Sequence, residues 1–188
     1  MLSWTKIIHL GDTAVMIPAA AAITAWLVIG RAWRTAMWWC LLFVLGIGLV
    51  AASKIAFLAW GVGIRSLDFN AFSGHAMLTT AVIPVISYLL LQRGPPIMRS
   101  LGVMLGIVFG ALMSVLLVVL NEHSASEAVA GYVIGGIVSL GFIRTAGTLP
   151  SPSPNRWLIP FSALAFLAAW YAQPERSEER RVGKECRL

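Results

Sequence analysis

Charged residues are scarce in this chain of 188 residues. Asp, Glu, Lys and Arg make up 12% of the sequence, whereas hydrophobic residues make up 59% and the mean hydropathy is +0.82. Soluble globular domains carry about 25% charged residues. The low charge therefore excludes an ordinary soluble domain and predicts an integral membrane protein.

Cysteine is almost absent as well. Cys40 lies within an apolar run and Cys186 lies in the C-terminal tail, so no disulfide framework is indicated. We expect no cofactor, no metal ion and no nucleic-acid partner.

Long apolar runs dominate what the sequence does contain. Six can be drawn between polar breaks, at residues 13–30, 35–60, 75–91, 97–120, 127–143 and 157–171. A helix needs about 20 apolar residues to cross a membrane, so the third, fifth and sixth runs need flanking polar residues to reach that length. The runs predict an all-α polytopic membrane bundle of about six transmembrane helices, with residues 1–172 forming a single domain.

Basic residues are concentrated in alternate connections, the first, third and fifth. These connections contain no acid, and their basic residues are Arg31, Arg34, Arg93, Arg99, Arg144 and Arg156. The positive-inside rule places such loops in the cytoplasm. We therefore expect a cytoplasmic (inner) membrane protein with the second and fourth connections on the external, periplasmic face.

The tail departs from this pattern. Residues 176–188 hold five of the fourteen basic residues of the chain. The segment resembles translated sequencing-adapter read-through or a disordered tail, and the alternative is a segment that binds acidic lipid headgroups. We assign no role to residues 173–188.

Two short polar islands interrupt the apolar runs, and the first precedes the third run. It reads Phe72, Ser73, Gly74 and His75. Backbone N–H groups at a helix N-terminus bind anions, glycine allows close approach, and serine can cap the helix while donating to a phosphate oxygen. His75 could protonate a leaving oxygen. The alternative is that Ser73 is only a helix cap and His75 an interfacial histidine.

The second island precedes the fifth run and contains His123 and Glu127. The i, i+4 spacing puts both side chains on one face of a helix or of its leading turn. A carboxylate that accepts the Nδ1 proton leaves Nε2 free as a nucleophile. The alternative is a capping arrangement, with Ser124 or Ser126 as the cap and Glu127 in the first turn; both interpretations can hold together.

Two cations lie near the same external face. Lys54 is near the outer end of the second run, and Arg65 follows in the second connection. The ammonium of Lys54 could reach a bound phosphate or could simply extend to the membrane interface. Arg65 could make a bidentate phosphate contact.

The order of these residues resembles the type 2 phosphatidic acid phosphatase family, whose superfamily also includes vanadium haloperoxidases. The shared features are a lysine, Ser-Gly-His at a helix start, and a histidine with an acid four residues later; the resemblance covers about residues 6–143. It implies hydrolysis of a lipid phosphomonoester or pyrophosphate through a phosphohistidine intermediate, with membrane lipids as surroundings. His123 would be the nucleophile, Glu127 its orienting residue and His75 the general acid. The phosphate would be held by Lys54, Ser73 and Gly74, with Arg65 as a further cation.

The chain departs from the family pattern at two arginine positions. Gly61 and Leu117 stand where the family's first and third motifs have arginine, and Glu127 stands where aspartate is usual. Arg65 is the candidate replacement for one of the arginines. The alternative function is a catalytically weak or inactive relative that binds phospholipid headgroups or acts as a structural membrane protein.

Overall fold

The computed structural model describes residues 11–61, 63 and 69–149. Over these residues the predicted all-α fold is confirmed, and five helices follow one another in the chain. They are α1 (Thr13–Ile29), α2 (Trp33–Trp60), α3 (Gly74–Leu91), α4 (Pro96–Val119) and α5 (Ala125–Thr148). The sixth predicted run, Arg65, Arg156 and the charged tail lie outside the described residues.

Four of these helices, α2 to α5, are long and apolar enough to cross a membrane; α1 has 17 residues. The predicted end of the fifth run was too early, because α5 continues past Ile143 to Thr148 and reaches 24 residues. Large apolar side chains such as Leu45, Leu105 and Ile137 are exposed on the outside of the bundle. An apolar exterior of this kind fits a lipid environment.

Polar caps fix where three of the helices begin. Asp12 accepts from the Ala14 N–H at α1, Ser73 caps α3, and Ser124 caps α5. A serine or aspartate cap stabilises a helix by about 1 kcal/mol because it satisfies an otherwise unpaired N–H group. The polar islands are thus also the start signals of α3 and α5.

Helix α3 is the centre of the bundle and packs against all four other helices. Helix α4 approaches it closely through Gly102, Gly106 and Gly110, and a Cβ at Gly106 would lie 2.7 Å from the Cα of Pro84. Small residues at four-residue intervals let membrane helices pack backbone to backbone, where dispersion replaces the hydrophobic driving force. The glycines therefore fix the distance between α3 and α4.

Aromatic side chains join α1, α2 and α5 around the same centre. Trp39 is 1% exposed and its Nε1 donates to the carbonyl oxygen of Ala20 at 3.2 Å. Its ring stacks on Phe43 and meets Phe142 edge to face, with centroid distances of 5.0 and 5.3 Å. The indole N–H is satisfied inside the apolar core, as a buried tryptophan requires.

The chain reverses at each connection, so α1, α3 and α5 begin at the end where α2 and α4 finish. We call this the histidine end; it holds Asp12, Ser53, Lys54 and residues 69–75 and 121–127. The opposite, arginine end holds the described basic residues of the odd connections. These are Arg31, Arg34, Arg93, Arg99 and Arg144.

Candidate active site

His123 and Glu127 form the predicted pair at the start of α5. Nδ1 of His123 lies 2.9 Å from Oε2 of Glu127, and the two side chains are 21% and 9% exposed. With Nδ1 occupied by the carboxylate, Nε2 is the nitrogen that remains available for chemistry. The capping interpretation holds as well, because the Glu127 N–H donates to Oγ of Ser124 at 3.3 Å.

A tight turn after α4 holds His123 in place. Asn121 has a φ of 55°, and the N–H groups of Glu122 and His123 both donate to the carbonyl oxygen of Leu117, at 3.0 and 3.3 Å. Asparagine tolerates the left-handed conformation that ends a helix in this way. The backbone carbonyl of Leu117 therefore anchors the turn that carries His123.

The second oxygen of the Glu127 carboxylate reaches the other polar island. Oε1 accepts from the N–H groups of Asn70 and Ala71, at 2.9 and 3.3 Å. The backbone carbonyl of Glu127 also accepts from the Ser73 N–H at 3.2 Å. Sequence reasoning missed these contacts, since the partners lie more than fifty residues upstream and donate through the backbone.

Ser53 anchors the same segment from a third helix. Its Oγ accepts from the Phe72 N–H at 3.1 Å and donates to the carbonyl oxygen of Val50 at 2.8 Å. The only hint in the sequence is that Ser53 directly precedes Lys54. We call residues 70–73 the anchored segment, because α2 and α5 both bind its backbone.

Ser73, Gly74 and Lys54 meet at the start of α3. Ser73 is fully buried, and its Oγ accepts from the Ala76 N–H at 3.4 Å. Nζ of Lys54 lies 3.9 Å from the position that a Cβ would take on Gly74. The exposed lysine thus places its charge beside the one residue here without a side chain, while a Ser73 contact with phosphate stays a prediction.

His75 lies close to His123. Their ring centroids are 6.5 Å apart and the rings are tilted by 53°. His75 is also within electrostatic reach of Asp12, Lys54 and Glu122. Asp12 and Glu122 were not predicted as site residues, although Asp12 is the polar residue that opens the first apolar run.

Both positions where the family has arginine carry residues with a local structural role. Gly61 ends α2 with a φ of 65°, a backbone conformation that favours glycine. Leu117 is 1% exposed and packs in the interior. Arg65, the candidate replacement, lies outside the described residues.

The described ranges contain no group of three or more His, Cys, Asp or Glu side chains that could hold a metal ion. The groups brought together at the histidine end are two imidazoles, one ammonium, a helix N-terminus and three carboxylates. These are the group types that the predicted nucleophile, proton donor and anion-binding turn require.

Comparison with known proteins adds an independent observation. The model of the PAP2 superfamily matches residues 64–150, which include both polar islands. The chain is 37% identical over 152 residues to an uncharacterized 22.5 kDa protein in the cps region of Klebsiella pneumoniae, covering 80% of this chain and 73% of the relative. No solved structure gives a significant match.

Proposed function

Since the chain belongs to the PAP2 superfamily, we propose that it is a membrane lipid phosphatase. Membership in the superfamily indicates phosphatase-type activity, and the long apolar helices indicate a membrane protein. Its substrate would be a lipid phosphomonoester or pyrophosphate. The observation that carries the proposal is the pair His123 and Glu127 facing His75 across 6.5 Å.

The first chemical step uses both histidines. Nε2 of His123 attacks the phosphorus atom while the bond to the lipid oxygen breaks, and His75 gives its proton to that leaving oxygen. Attack requires the reacting atoms to be about 3 Å apart, and the 6.5 Å between the ring centroids keeps both imidazoles near one phosphoryl group. The product is a phosphohistidine on His123 and a free lipid alcohol, or a lipid monophosphate from a pyrophosphate.

The second step returns the enzyme to its starting state. His75, now neutral, takes a proton from water as the water oxygen attacks phosphorus, and the bond to Nε2 of His123 breaks. Inorganic phosphate leaves. Throughout both steps the Glu127 carboxylate accepts a hydrogen bond from the Nδ1–H group of His123. Lys54 stabilises the charge on the phosphoryl oxygens beside Gly74.

The surroundings of the site support a lipid substrate. The helices expose apolar side chains on the outside of the bundle, while His75, His123 and Lys54 lie together at the histidine end. A lipid headgroup can reach such a site while its chains stay in the bilayer.

The arginine end would face the cytoplasm by the positive-inside rule, which would put the site on the periplasmic side of the inner membrane. A reporter fused after Leu91 should then be cytoplasmic, and a periplasmic signal would reverse the orientation.

Phosphate release tests the proposal directly. Purified protein in detergent should release inorganic phosphate from members of a panel of lipid phosphates and lipid pyrophosphates. His123→Ala should reduce the rate at least about a thousandfold, because it removes the nucleophile. Arg99→Gln, at the arginine end, is the matched control and should keep wild-type activity. No release from any substrate by the wild-type protein would refute the proposal.

The covalent intermediate gives a second measurement. Protein quenched during turnover should carry phosphate in a bond that is labile to acid and stable to base, as a phosphoramidate is. The label should be absent from His123→Ala. An acid-stable label would indicate a phosphate ester instead and would contradict attack by a histidine.

The structure of the arginine positions favours a second candidate, a relative that binds lipid phosphates without hydrolysing them. Gly61 and Leu117 have taken local structural roles where the family has phosphate-binding charges. Losing one charge-stabilising contact costs about 10²–10³ in rate, by analogy with an oxyanion-hole donor. Saturable binding of vesicles containing a lipid phosphate, without phosphate release, would decide for this candidate.

A further inference from the structure

We propose that Glu127 has a second positioning role: one carboxylate holds both the nucleophilic histidine and the anchored segment that leads into the phosphate-binding turn. The contacts with the segment belong to the structure alone. Their consequence for turnover rests on the proposed function.

The two oxygens of the Glu127 carboxylate point to different partners. Oε2 binds Nδ1 of His123 at 2.9 Å, and Oε1 accepts from the N–H groups of Asn70 and Ala71 at 2.9 and 3.3 Å. Glu127 is 7% exposed, so little water competes for these bonds. Hydrogen bonds to a charged group are stronger than those between neutral groups, so both arms of the carboxylate, Oε1 and Oε2, can hold their partners in place.

The length of the glutamate side chain matters for this bridge. Aspartate is shorter by one carbon–carbon bond, about 1.5 Å. Two hydrogen bonds hold the backbone of residue 127 in place: its carbonyl accepts from the Ser73 N–H, and its N–H donates to Oγ of Ser124. From this fixed backbone, an aspartate cannot keep both arms at hydrogen-bonding distance.

The anchored segment determines where the anion-binding turn lies. It runs directly into Gly74, beside Nζ of Lys54, and then into His75. A displacement of about 1 Å in a catalytic group can lower a rate about a hundredfold. By holding the segment and His123 together, Glu127 would fix the distance between the phosphate site and the nucleophile.

Two substitutions separate the arms. Glu127→Gln keeps the length, so its amide oxygen can still accept from the segment while its NH₂ group faces His123. That NH₂ group would donate to Nδ1 and move the ring proton to Nε2, which removes the nucleophilic nitrogen. We expect Glu127→Gln to lose at least about a hundredfold in kcat while the segment stays protected. Glu127→Asp should lose protection of the segment, or kcat, or both.

Ser53→Ala is the matched control for the segment alone. It removes the contact of Oγ with the Phe72 N–H and leaves the pair His123 and Glu127 intact. We expect hydrogen exchange over residues 69–73 to become faster and kcat/KM to fall severalfold, a much smaller loss than that of Glu127→Gln because His123 keeps its carboxylate partner. The interior of α5, around Gly135, should keep its exchange rate in every variant, which checks that the bundle remains folded.

Hydrogen exchange monitored by mass spectrometry, together with kcat and KM, decides the proposal. It would be overturned if Glu127→Asp kept both the wild-type exchange of residues 69–73 and the wild-type kcat. It would also be overturned if Glu127→Gln made hydrogen exchange over residues 69–73 faster than in the wild type, since its amide oxygen should still accept from the segment. If wild-type protein released no phosphate, the proposed function would fail, but the exchange measurements would still test the bridge.

Discussion

The two ends of the bundle are built differently from the same helices. At the histidine end, side chains bind backbone groups of other elements: Glu127 binds Asn70 and Ala71, and Ser53 binds Phe72. The arginine end has short connections and exposed or half-buried arginines, such as Arg99 over the ring of Tyr88 at 5.7 Å. One end is organised by specific hydrogen bonds and the other by charge of a single sign.

Under the proposed function, the histidine end carries the chemistry and the arginine end sets the orientation. Orientation by the positive-inside rule depends on the number of cations and tolerates imprecise placement. Catalysis needs groups held to within a fraction of an ångström, which requires supporting hydrogen bonds. Substitutions should therefore have large effects on activity at the histidine end and small ones at the arginine end.

The strongest test of the comparison is His75→Gln. If His75 is the general acid, as proposed, removing it should lower kcat by about 10²–10⁴ for a lipid phosphate, whose alkoxide leaves poorly without a proton. For an aryl phosphate, kcat should fall much less, because its acidic phenol leaves as the unprotonated phenolate. Arg99→Gln should stay within about twofold of wild type. Equal losses for both leaving groups would show that His75 is not the acid.

The interior between the two ends can be tested through stability. Gly106→Ala puts a methyl group 2.7 Å from the Cα of Pro84, where only backbone movement can relieve the clash. Overpacking of this kind costs about 1–3 kcal/mol. Gly136→Ala is the control: a Cβ there has no neighbour within 4 Å, so it should be neutral or raise stability by up to about 1 kcal/mol through helix propensity. Thermal unfolding in detergent measures both, and equal Tm values would contradict close α3–α4 packing.

Among the substitutions at the histidine end, Asp12→Asn has the smallest expected effect. The Asp12 carboxylate attracts the protonated imidazole of His75, and the aspartate is half-buried at the histidine end. Partly exposed charge pairs contribute up to about 1 kcal/mol, so kcat should fall no more than about fivefold. The difference between variant and wild type should shrink as salt is raised, because salt screens such interactions. A loss above a hundredfold would assign Asp12 a direct role.

The apolar runs were enough to predict the helices. Five of the six predicted runs are helices, with N-termini at or within two residues of the prediction, and the sixth lies outside the described residues. Apolar length and cap residues act locally, so they can be read without the fold. The end of α5 was missed because the helix continues through Arg144 to Thr148, beyond the last strictly apolar residue.

The candidate site also combines residues that the sequence predicts with contacts that it does not. His75, His123 and Glu127 could be proposed from the sequence because their spacing and their place at helix starts are local features. Ser53 and the second arm of Glu127 could not, since their partners are backbone N–H groups that any residue type would supply. The roles of Gly61 and Leu117 also required the fold, because one depends on φ and the other on burial.

By itself, the sequence determined the membrane class, the helices and the two polar islands, because hydropathy and capping depend on neighbouring residues. Only the tertiary structure decided how the islands meet. The close packing of α5 against α3, where Gly131 lies against Ser73 and Gly135 against Met77, brings a carboxylate within reach of a backbone segment more than fifty residues away. Distances across helices are set by packing, and packing is a property of the whole bundle.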